Sequence, residues 1–158
     1  MKDGKFVVLF VCTGNICRSP MAVGLLQSEL PQEVRDRVLV YSAGTSALEG
    51  YRPSALACQI CLESGFDISQ HVAQNVVVEL VEMTDVILTM TAAQKEFVKL
   101  RYYFARDRTF LLSEFATDGA DTRSVPDPYG SDYQDYQDCF FLLRRYVRLV
   151  VPKILKRI

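Results

Sequence analysis

Val11-Cys12-Thr13-Gly14-Asn15-Ile16-Cys17-Arg18-Ser19-Pro20 lies between an apolar run and an amphipathic run. The preceding residues 5–11 (KFVVLFV) are mostly β-branched or aromatic, which predicts a strand buried on both faces of a parallel sheet. Ser19 suits an N-cap and Pro20 a first helical position, so we expect a helix over 21–30. The loop between strand and helix therefore directs backbone N–H groups at a helix N-terminus, which predicts an anion site.

Cys12 stands at the carboxyl end of the predicted strand, facing the positive end of the helix dipole, with Arg18 nearby. Both features favour the thiolate form of a cysteine, which is nucleophilic at neutral pH. The Arg18 guanidinium can return over the loop mouth and bind two oxygens of a tetrahedral oxyanion. Gly14 and Asn15 tolerate positive φ, so successive amides can turn toward one point. The loop thus predicts a thiol nucleophile beneath a phosphate-sized dianion.

Two other interpretations of the loop are weaker. A Walker A nucleotide site ends in Gly-Lys-Ser or Gly-Lys-Thr, whereas the corresponding end here is Cys17-Arg18-Ser19, which disfavours ATP or GTP binding. Alternatively, Cys12 is an ordinary buried cysteine in a tight turn with a surface arginine beyond it. That interpretation requires the cysteine, the arginine, the serine and the helix start to coincide by accident.

The composition is that of an ordinary soluble domain. A chain of 158 residues with 49% hydrophobic and 23% charged residues predicts a single domain over residues 1–158. A formal net charge of -1 gives no support for nucleic-acid partners or for attraction to anionic membranes. No segment has the length of a membrane span or the pattern of a signal peptide, and the cysteine number, five, is odd. We therefore expect a cytoplasmic protein without a disulfide framework.

Strands and helices alternate along the rest of the chain, which predicts a three-layer α/β architecture with right-handed crossovers. The further predicted strands are 37–41, 85–90 and 109–112, and the further predicted helices are 53–64, 76–82, 93–104 and a closing helix from about Tyr136 that is loosened at Pro152. Residues 31–36 and 68–75 are expected to be polar connections, and 113–131 to be mostly loop with a turn of helix at its start.

Several segments resemble the low-molecular-weight protein tyrosine phosphatases. They are Cys12 to Pro20 (CTGNICRSP), Ser42 to Thr45 (SAGT), His71 to Ala73 (HVA) and Asp127-Pro128 (DPYG) near the C-terminus. The resemblance covers nearly the whole chain. It implies a flavodoxin-like phosphatase fold, an αβα sandwich whose four-stranded parallel sheet has the order 2-1-3-4. In that order the end of the first strand is a topological switch point, where ligands bind.

Asp127 is the candidate for the proton transfers that a thiolate-based phosphatase needs. It lies in Val125-Pro126-Asp127-Pro128, where the flanking prolines restrict the backbone. Composition alone allows an ordinary turn residue, and the resemblance implies a general acid and base. Tyr129 could stack on an aromatic leaving group or merely cover the surface. The family's second wall residue maps loosely to Leu48 or Glu49.

The resemblance also assigns the neighbouring positions. It implies that Asn15, Ser19, Ser42 and His71 form a hydrogen-bond network that supports the loop, with His71 structural rather than a base. The expected phosphate-binding residues are Thr13, Gly14, Asn15, Ile16, Cys17 and Ser19. No metal or cofactor is expected.

The second loop cysteine, Cys17, suggests redox protection. The curled loop could bring its sulfur within disulfide reach of Cys12, and simple packing is the alternative. Cys58 and Cys61 (CQIC) fall within a predicted helix without a second ligand pair, so we expect them to be small core residues.

The predicted activity is hydrolysis of protein phosphotyrosine and small aryl phosphates through a phosphocysteine at Cys12. Its partner is a phosphorylated protein, and we expect a monomer, with weak dimerisation as the alternative. A protein arginine phosphatase is the second possibility, although family members of that kind carry Thr where Ile16 stands. Arsenate reduction is disfavoured because no cysteine lies between Cys61 and Cys139. A non-catalytic phosphoprotein-binding module would not need Asp127.

Overall fold

The computed structural model describes residues 2–158 and contains a parallel four-stranded sheet. Its strands are β1 (Phe6–Cys12), β2 (Val38–Gly44), β3 (Val86–Thr89) and β4 (Thr109–Leu111). They lie in the order β2-β1-β3-β4, which confirms the predicted order. Cys12 is paired with Gly44 across the β1–β2 ladder, so the carboxyl ends of these strands meet at one edge.

Helices cover both faces of the sheet. Within the described residues the α-helices are α1 (Arg18–Glu29), α2 (Ala55–Glu63), α3 (Val78–Met83), α4 (Ala92–Arg101), α5 (Leu112–Thr117) and α6 (Tyr133–Leu155). Two 3₁₀ helices span Gln32–Arg37 and Tyr103–Arg108. No helix within residues 2–158 is long and apolar enough to cross a membrane.

The alternation of side chains along β1 divides the core into two parts. Phe6, Val8, Phe10 and Cys12 belong to the larger cluster, which α1, α2, α5 and α6 cover. Leu9 and Val11 belong to the smaller cluster beneath α3 and α4. Every residue of β1 is buried, as its continuous apolar run predicts. Cys12 is therefore the last residue on the face that packs toward α1 and α6.

The predicted N-cap at Ser19 is wrong. Helix α1 begins at Arg18, with Cys17 at the N-cap position and no side-chain capping bond. Because the chain is already helical at Arg18, the Ser19 hydroxyl lies in the first turn and is directed at Cys12 instead of the helix amides.

Other differences concern the ends of elements. Strand β2 continues to Gly44 because it stays paired with β1 as far as Cys12. The helix expected over 93–104 ends at Arg101 and gives way to a 3₁₀ helix, and residues 31–36 also form 3₁₀ structure rather than an irregular connection. Helix α6 continues through Pro152 to Leu155, since a proline removes one donor without ending a helix that is packed along its length.

Candidate active site

Cys12 ends β1 beneath the mouth of the loop and is 2% exposed. The backbone N–H of Asn15 donates to its Sγ at 3.3 Å, and the Ser19 hydroxyl lies 2.9 Å from the same sulfur. A backbone amide and a hydroxyl are both able to hydrogen-bond a thiolate. The local structure therefore places the sulfur in contact with a backbone amide and a hydroxyl at the N-terminus of α1.

Asn15 supports the loop from below with a fully buried side chain and a positive φ of 60°. Its Nδ2 donates to Ser19 Oγ at 2.7 Å and to Ser42 Oγ at 2.9 Å, while its Oδ1 accepts from the Gln74 backbone N–H at 2.9 Å. His71 Nε2 lies 2.9 Å from the Asn15 carbonyl, and because a carbonyl can only accept, this nitrogen donates. The structure thus brings together the four residues grouped in the sequence, and it adds Gln74.

His71 is directed at the loop backbone rather than at the cavity. Burial lowers the pKa of its imidazole, which opposes a second proton on a ring that already donates to Asn15. This placement suits a neutral, structural histidine.

A second loop, at the end of β2, lies against the first one. The N–H groups of residues 45, 46 and 48 donate to the carbonyls of residues 12, 13 and 14 at 2.9 to 3.1 Å. A Cβ added at Gly44 would lie 2.3 Å from the Thr13 carbonyl oxygen, so the close approach requires glycine. The loop's shape is therefore fixed by backbone contacts as well as by Asn15.

Arg18 is buried and linked to the segment that carries Asp127. Its Nη1 donates to the Val125 carbonyl at 3.1 Å, and its Nη2 lies 3.5 Å from Asp127 Oδ2. The Asp127 side chain is 49% exposed, and its Oδ1 accepts from the Tyr129 N–H at 3.1 Å. The guanidinium thereby connects the loop with the carboxyl group, although 107 positions separate Arg18 and Val125 in sequence.

These residues enclose a cavity of about 200 Å³. The cavity is lined by residues 12–18 together with Ser46, Leu48, Asp127 and Tyr129. Leu48 and Tyr129 form its exposed walls. Of the two loosely mapped wall positions, Leu48 faces the cavity, whereas Glu49 accepts a hydrogen bond from Asn75.

Cys17 is a buried residue of the loop and contacts two residues that sequence reasoning did not group with the site. Its Sγ lies 3.2 Å from Ser54 Oγ and 3.3 Å from the Tyr136 hydroxyl, which in turn donates to Ser54 at 3.0 Å. Burial raises the pKa of the Cys17 thiol, while these two hydrogen bonds act in the opposite direction. The sequence placed Tyr136 correctly in a helix but gave no sign of its contact with Cys17.

The other cysteines lie outside the loop. Cys61 is fully buried and burial raises its pKa to about 12, while Cys58 is partly buried, in keeping with small packing residues. Among residues 2–158 no group of three or more His, Cys, Asp or Glu side chains is arranged to hold a metal ion. Cys139 lines a second cavity of about 320 Å³ on the other side of Asp127.

The fold and the site together describe a cysteine-based phosphatase, with a sulfur below an oxyanion loop and a carboxyl group at its mouth. A family model described as low molecular weight phosphotyrosine protein phosphatase matches residues 7–157. The chain belongs to this family.

Relatives of two kinds resemble the chain. A probable low molecular weight protein-tyrosine-phosphatase, EpsP, of Ralstonia solanacearum is 37% identical over 93% of this chain and 94% of its own. A protein-arginine-phosphatase of Geobacillus stearothermophilus is also 37% identical, over 82% of this chain and 83% of its own. The solved structure of the YwlE arginine phosphatase from Geobacillus stearothermophilus superposes with a TM-score of 0.87 at 31% identity, covering 96% of this chain and 94% of that one.

Proposed function

We propose that this protein hydrolyses phosphotyrosine in proteins, and small aryl phosphates, through a phosphocysteine on Cys12. The supporting observation is that one cavity contains a buried thiol, a buried guanidinium and a partly exposed carboxyl group. These three groups supply the nucleophile, the charge stabilisation and the proton transfer that the reaction requires.

In the first step the Cys12 thiolate attacks phosphorus, and the bond between phosphorus and the tyrosyl oxygen breaks. The Arg18 guanidinium and the loop amides hold the equatorial oxygens as charge develops on them. Asp127, in its acid form, transfers a proton to the departing oxygen and is left as a carboxylate. The products are the free tyrosyl hydroxyl and the phosphocysteine.

In the second step the Asp127 carboxylate takes a proton from water while the water oxygen attacks phosphorus. The bond between sulfur and phosphorus breaks, which releases inorganic phosphate and restores the thiolate. The Ser19 hydroxyl, 2.9 Å from the sulfur, is placed to donate to that leaving thiolate. Asp127 ends the cycle protonated, so no group is consumed.

The cavity walls favour an aryl ester. Leu48 and Tyr129 face the entrance with exposed apolar surface, and an aromatic leaving group can lie between them. Ile16 is 6% exposed and lines the same cavity, where its bulk narrows the space available to a wider guanidinium.

Arginine phosphatase activity is the second candidate, since relatives with each name have the same 37% identity to this chain. Ile16 decides between them in this proposal, because Thr stands at that position in family members that act on phosphoarginine.

Turnover of para-nitrophenyl phosphate tests the reaction. We expect no measurable activity from Cys12→Ser and a loss of about 100- to 10,000-fold from Asp127→Asn, the range for removal of a general acid. Asp138→Asn is the matched control, because Asp138 lies near Asp127 but outside the cavity of Cys12, and it should keep activity within about twofold. An inactive wild type would refute the proposal.

A substrate pair tests the choice of ester. The wild type should release phosphate from phosphotyrosine peptides faster than from phosphoarginine peptides, and Ile16→Thr should shift the ratio toward phosphoarginine. A wild type that prefers phosphoarginine would establish the second candidate instead.

We further propose that Cys17 protects Cys12 from irreversible oxidation. Peroxide converts the Cys12 thiolate to a sulfenic acid, and the Cys17 sulfur then displaces hydroxide to form a disulfide, so that two thiols and one peroxide give one disulfide and two waters. After peroxide treatment, dithiothreitol should restore the activity of the wild type. It should not restore the activity of Cys17→Ser, whose Cys12 is then oxidised irreversibly. Full recovery in that variant would contradict the proposal.

We also propose that residues 1–158 form a single domain, that the enzyme is a monomer, and that it acts in the cytoplasm. Sedimentation equilibrium and cell fractionation test the last two points, and a stable dimer or a membrane-bound fraction would contradict them.

A further inference from the structure

Gln94, in α4, contacts the phosphate-binding loop without belonging to it. It is 4% exposed, and its Nε2 donates to Thr13 Oγ1 at 3.1 Å. Its Oε1 accepts from the backbone N–H groups of Met90 and Thr91, both at 3.0 Å. One buried amide therefore joins the loop to the carboxyl end of β3.

The end of β3 also holds the segment that carries Asp127. The Met90 carbonyl accepts from the Val125 N–H at 2.8 Å, and the Val125 carbonyl accepts from Arg18. Gln94 is thus bonded to Thr13 of the loop and to Met90, which holds the Asp127 segment. The distance between the loop and that segment must be fixed if Asp127 is to protonate the group that Cys12 displaces.

Helix capping explains the bond from Thr91 but not the bond to Thr13. Thr91 and Gln94 form a capping box at the start of α4, with the Gln94 N–H donating to Thr91 Oγ1 at 3.2 Å. Glutamate serves this position as well as glutamine does, and the helix dipole favours its charge. The same chain uses Glu114 in this way at α5, where Oε1 accepts from the Leu111 N–H at 2.9 Å. The cap therefore does not require an uncharged residue at position 94.

The contact with Thr13 explains why an uncharged side chain stands at position 94. A carboxylate at position 94 would stand one hydrogen bond from a loop built to hold a dianion, and its charge would oppose that anion. We propose that Gln94 is a positioning residue of the active site, which fixes Thr13 against β3 while keeping negative charge away from bound phosphate. This inference rests on the proposed function, since it takes the loop to be a phosphate site.

Binding of inorganic phosphate, measured by calorimetry, tests the charge argument without turnover. Gln94→Glu should keep the fold, because glutamate can still cap α4, and should bind phosphate about 3- to 10-fold more weakly at low salt. The loss should persist in about 1 M NaCl, because a charge on a side chain that is 4% exposed is screened much less than a surface charge. A merely structural defect would weaken phosphate binding in an uncharged variant as well.

Two further variants complete the design. Gln94→Met is uncharged but loses all three hydrogen bonds, so we expect its kcat to fall at least about fivefold while it binds phosphate more tightly than Gln94→Glu does. Glu114→Gln removes charge from the comparable cap outside the cavity and should leave phosphate affinity unchanged.

The inference is overturned if Gln94→Glu binds phosphate like the wild type, or if the uncharged Gln94→Met binds phosphate as weakly as Gln94→Glu does. Should Gln94→Glu not fold, a Gln94→Met protein with wild-type kcat overturns it. If Gln94→Glu binds phosphate more weakly than the wild type as expected, but the wild type hydrolyses no ester, the proposed function is refuted and the role of Gln94 is not. A wild type that binds no phosphate refutes both.

Discussion

Replacing Asn15 with alanine should remove much of the stability of the loop. The side chain makes three hydrogen bonds, to Ser19, Ser42 and the Gln74 backbone. At about 0.5–1.5 kcal/mol each they contribute roughly 1.5–4.5 kcal/mol. Alanine at a φ of 60° adds a steric cost of about 1–2 kcal/mol. We therefore expect Asn15→Ala to lower the free energy of unfolding by about 2.5–6.5 kcal/mol.

Equilibrium unfolding in urea, with the midpoint and slope compared, measures this loss. Asn15→Gly separates the lost hydrogen bonds from the steric cost of positive φ, because glycine avoids that steric cost. Glycine also raises the conformational entropy of the unfolded chain, which lowers stability by about 0.4–1 kcal/mol. It should be more stable than Asn15→Ala by roughly 0.5–1 kcal/mol. Asn75→Ala is the control, since Asn75 also makes two side-chain bonds in a neighbouring loop without positive φ, and we expect a loss of about 0.5–2 kcal/mol.

Either of two results would refute this reasoning. A loss below about 1.5 kcal/mol for Asn15→Ala would mean that the network beneath the loop adds little stability. Equal stability of the alanine and glycine variants would mean that the positive φ costs alanine only about 0.4–1 kcal/mol, as much as glycine loses through the unfolded chain, and not the steric cost assumed here.

Three further predictions follow from the pKa directions and contacts. Because burial lowers the pKa of His71, the unfolded chain takes up a proton that the folded chain resists, so stability should fall as the pH drops below about 6.5. His71 is the chain's one histidine, so the slope of the unfolding free energy against pH that it causes stays below the one-proton limit of about 1.4 kcal/mol per pH unit. In His71→Gln the urea midpoints should lose this slope between about pH 7 and 5. An unchanged slope in that variant would contradict the assignment. Tyr136→Phe removes a hydrogen bond that favours the Cys17 thiolate, so less activity should return with dithiothreitol after peroxide, and wild-type recovery would contradict this. Tyr146→Phe removes one of the donors to the Asp121 carboxylate, the hydroxyl at 2.6 Å, and should lower the free energy of unfolding in urea by about 1.5–3 kcal/mol. A change below about 0.5 kcal/mol would show that the remaining donor, Arg123, satisfies the carboxylate alone.

The sheet was predictable from the sequence because its signals are local. The continuous apolar run before Cys12 has few alternatives to a central strand, and the loop motif follows it immediately. The family resemblance then gave the strand order. The start of α1 was misplaced because Ser19 resembles an N-cap locally, and only the tertiary position of Cys12 shows where its hydroxyl is needed.

The contacts that support the site were less predictable because their partners are distant in sequence. Tyr136 lies 119 positions from Cys17, and its helical periodicity shows that it faces the core but not what its hydroxyl contacts. Gln94 lies 81 positions from Thr13. Its spacing from Thr91 is readable as a capping box, but the bond to Thr13 depends on how α4 approaches β1.

The contact between Gly44 and the Thr13 carbonyl bears on how new specificities can arise on this scaffold. Since the two loops are bonded backbone to backbone, an insertion or deletion in either one would break several hydrogen bonds at once. The cavity can therefore diversify by exchanging wall side chains such as Ile16, Leu48 and Tyr129, but not by changing loop length. Directed evolution for new esters would best use substitution libraries at those three positions.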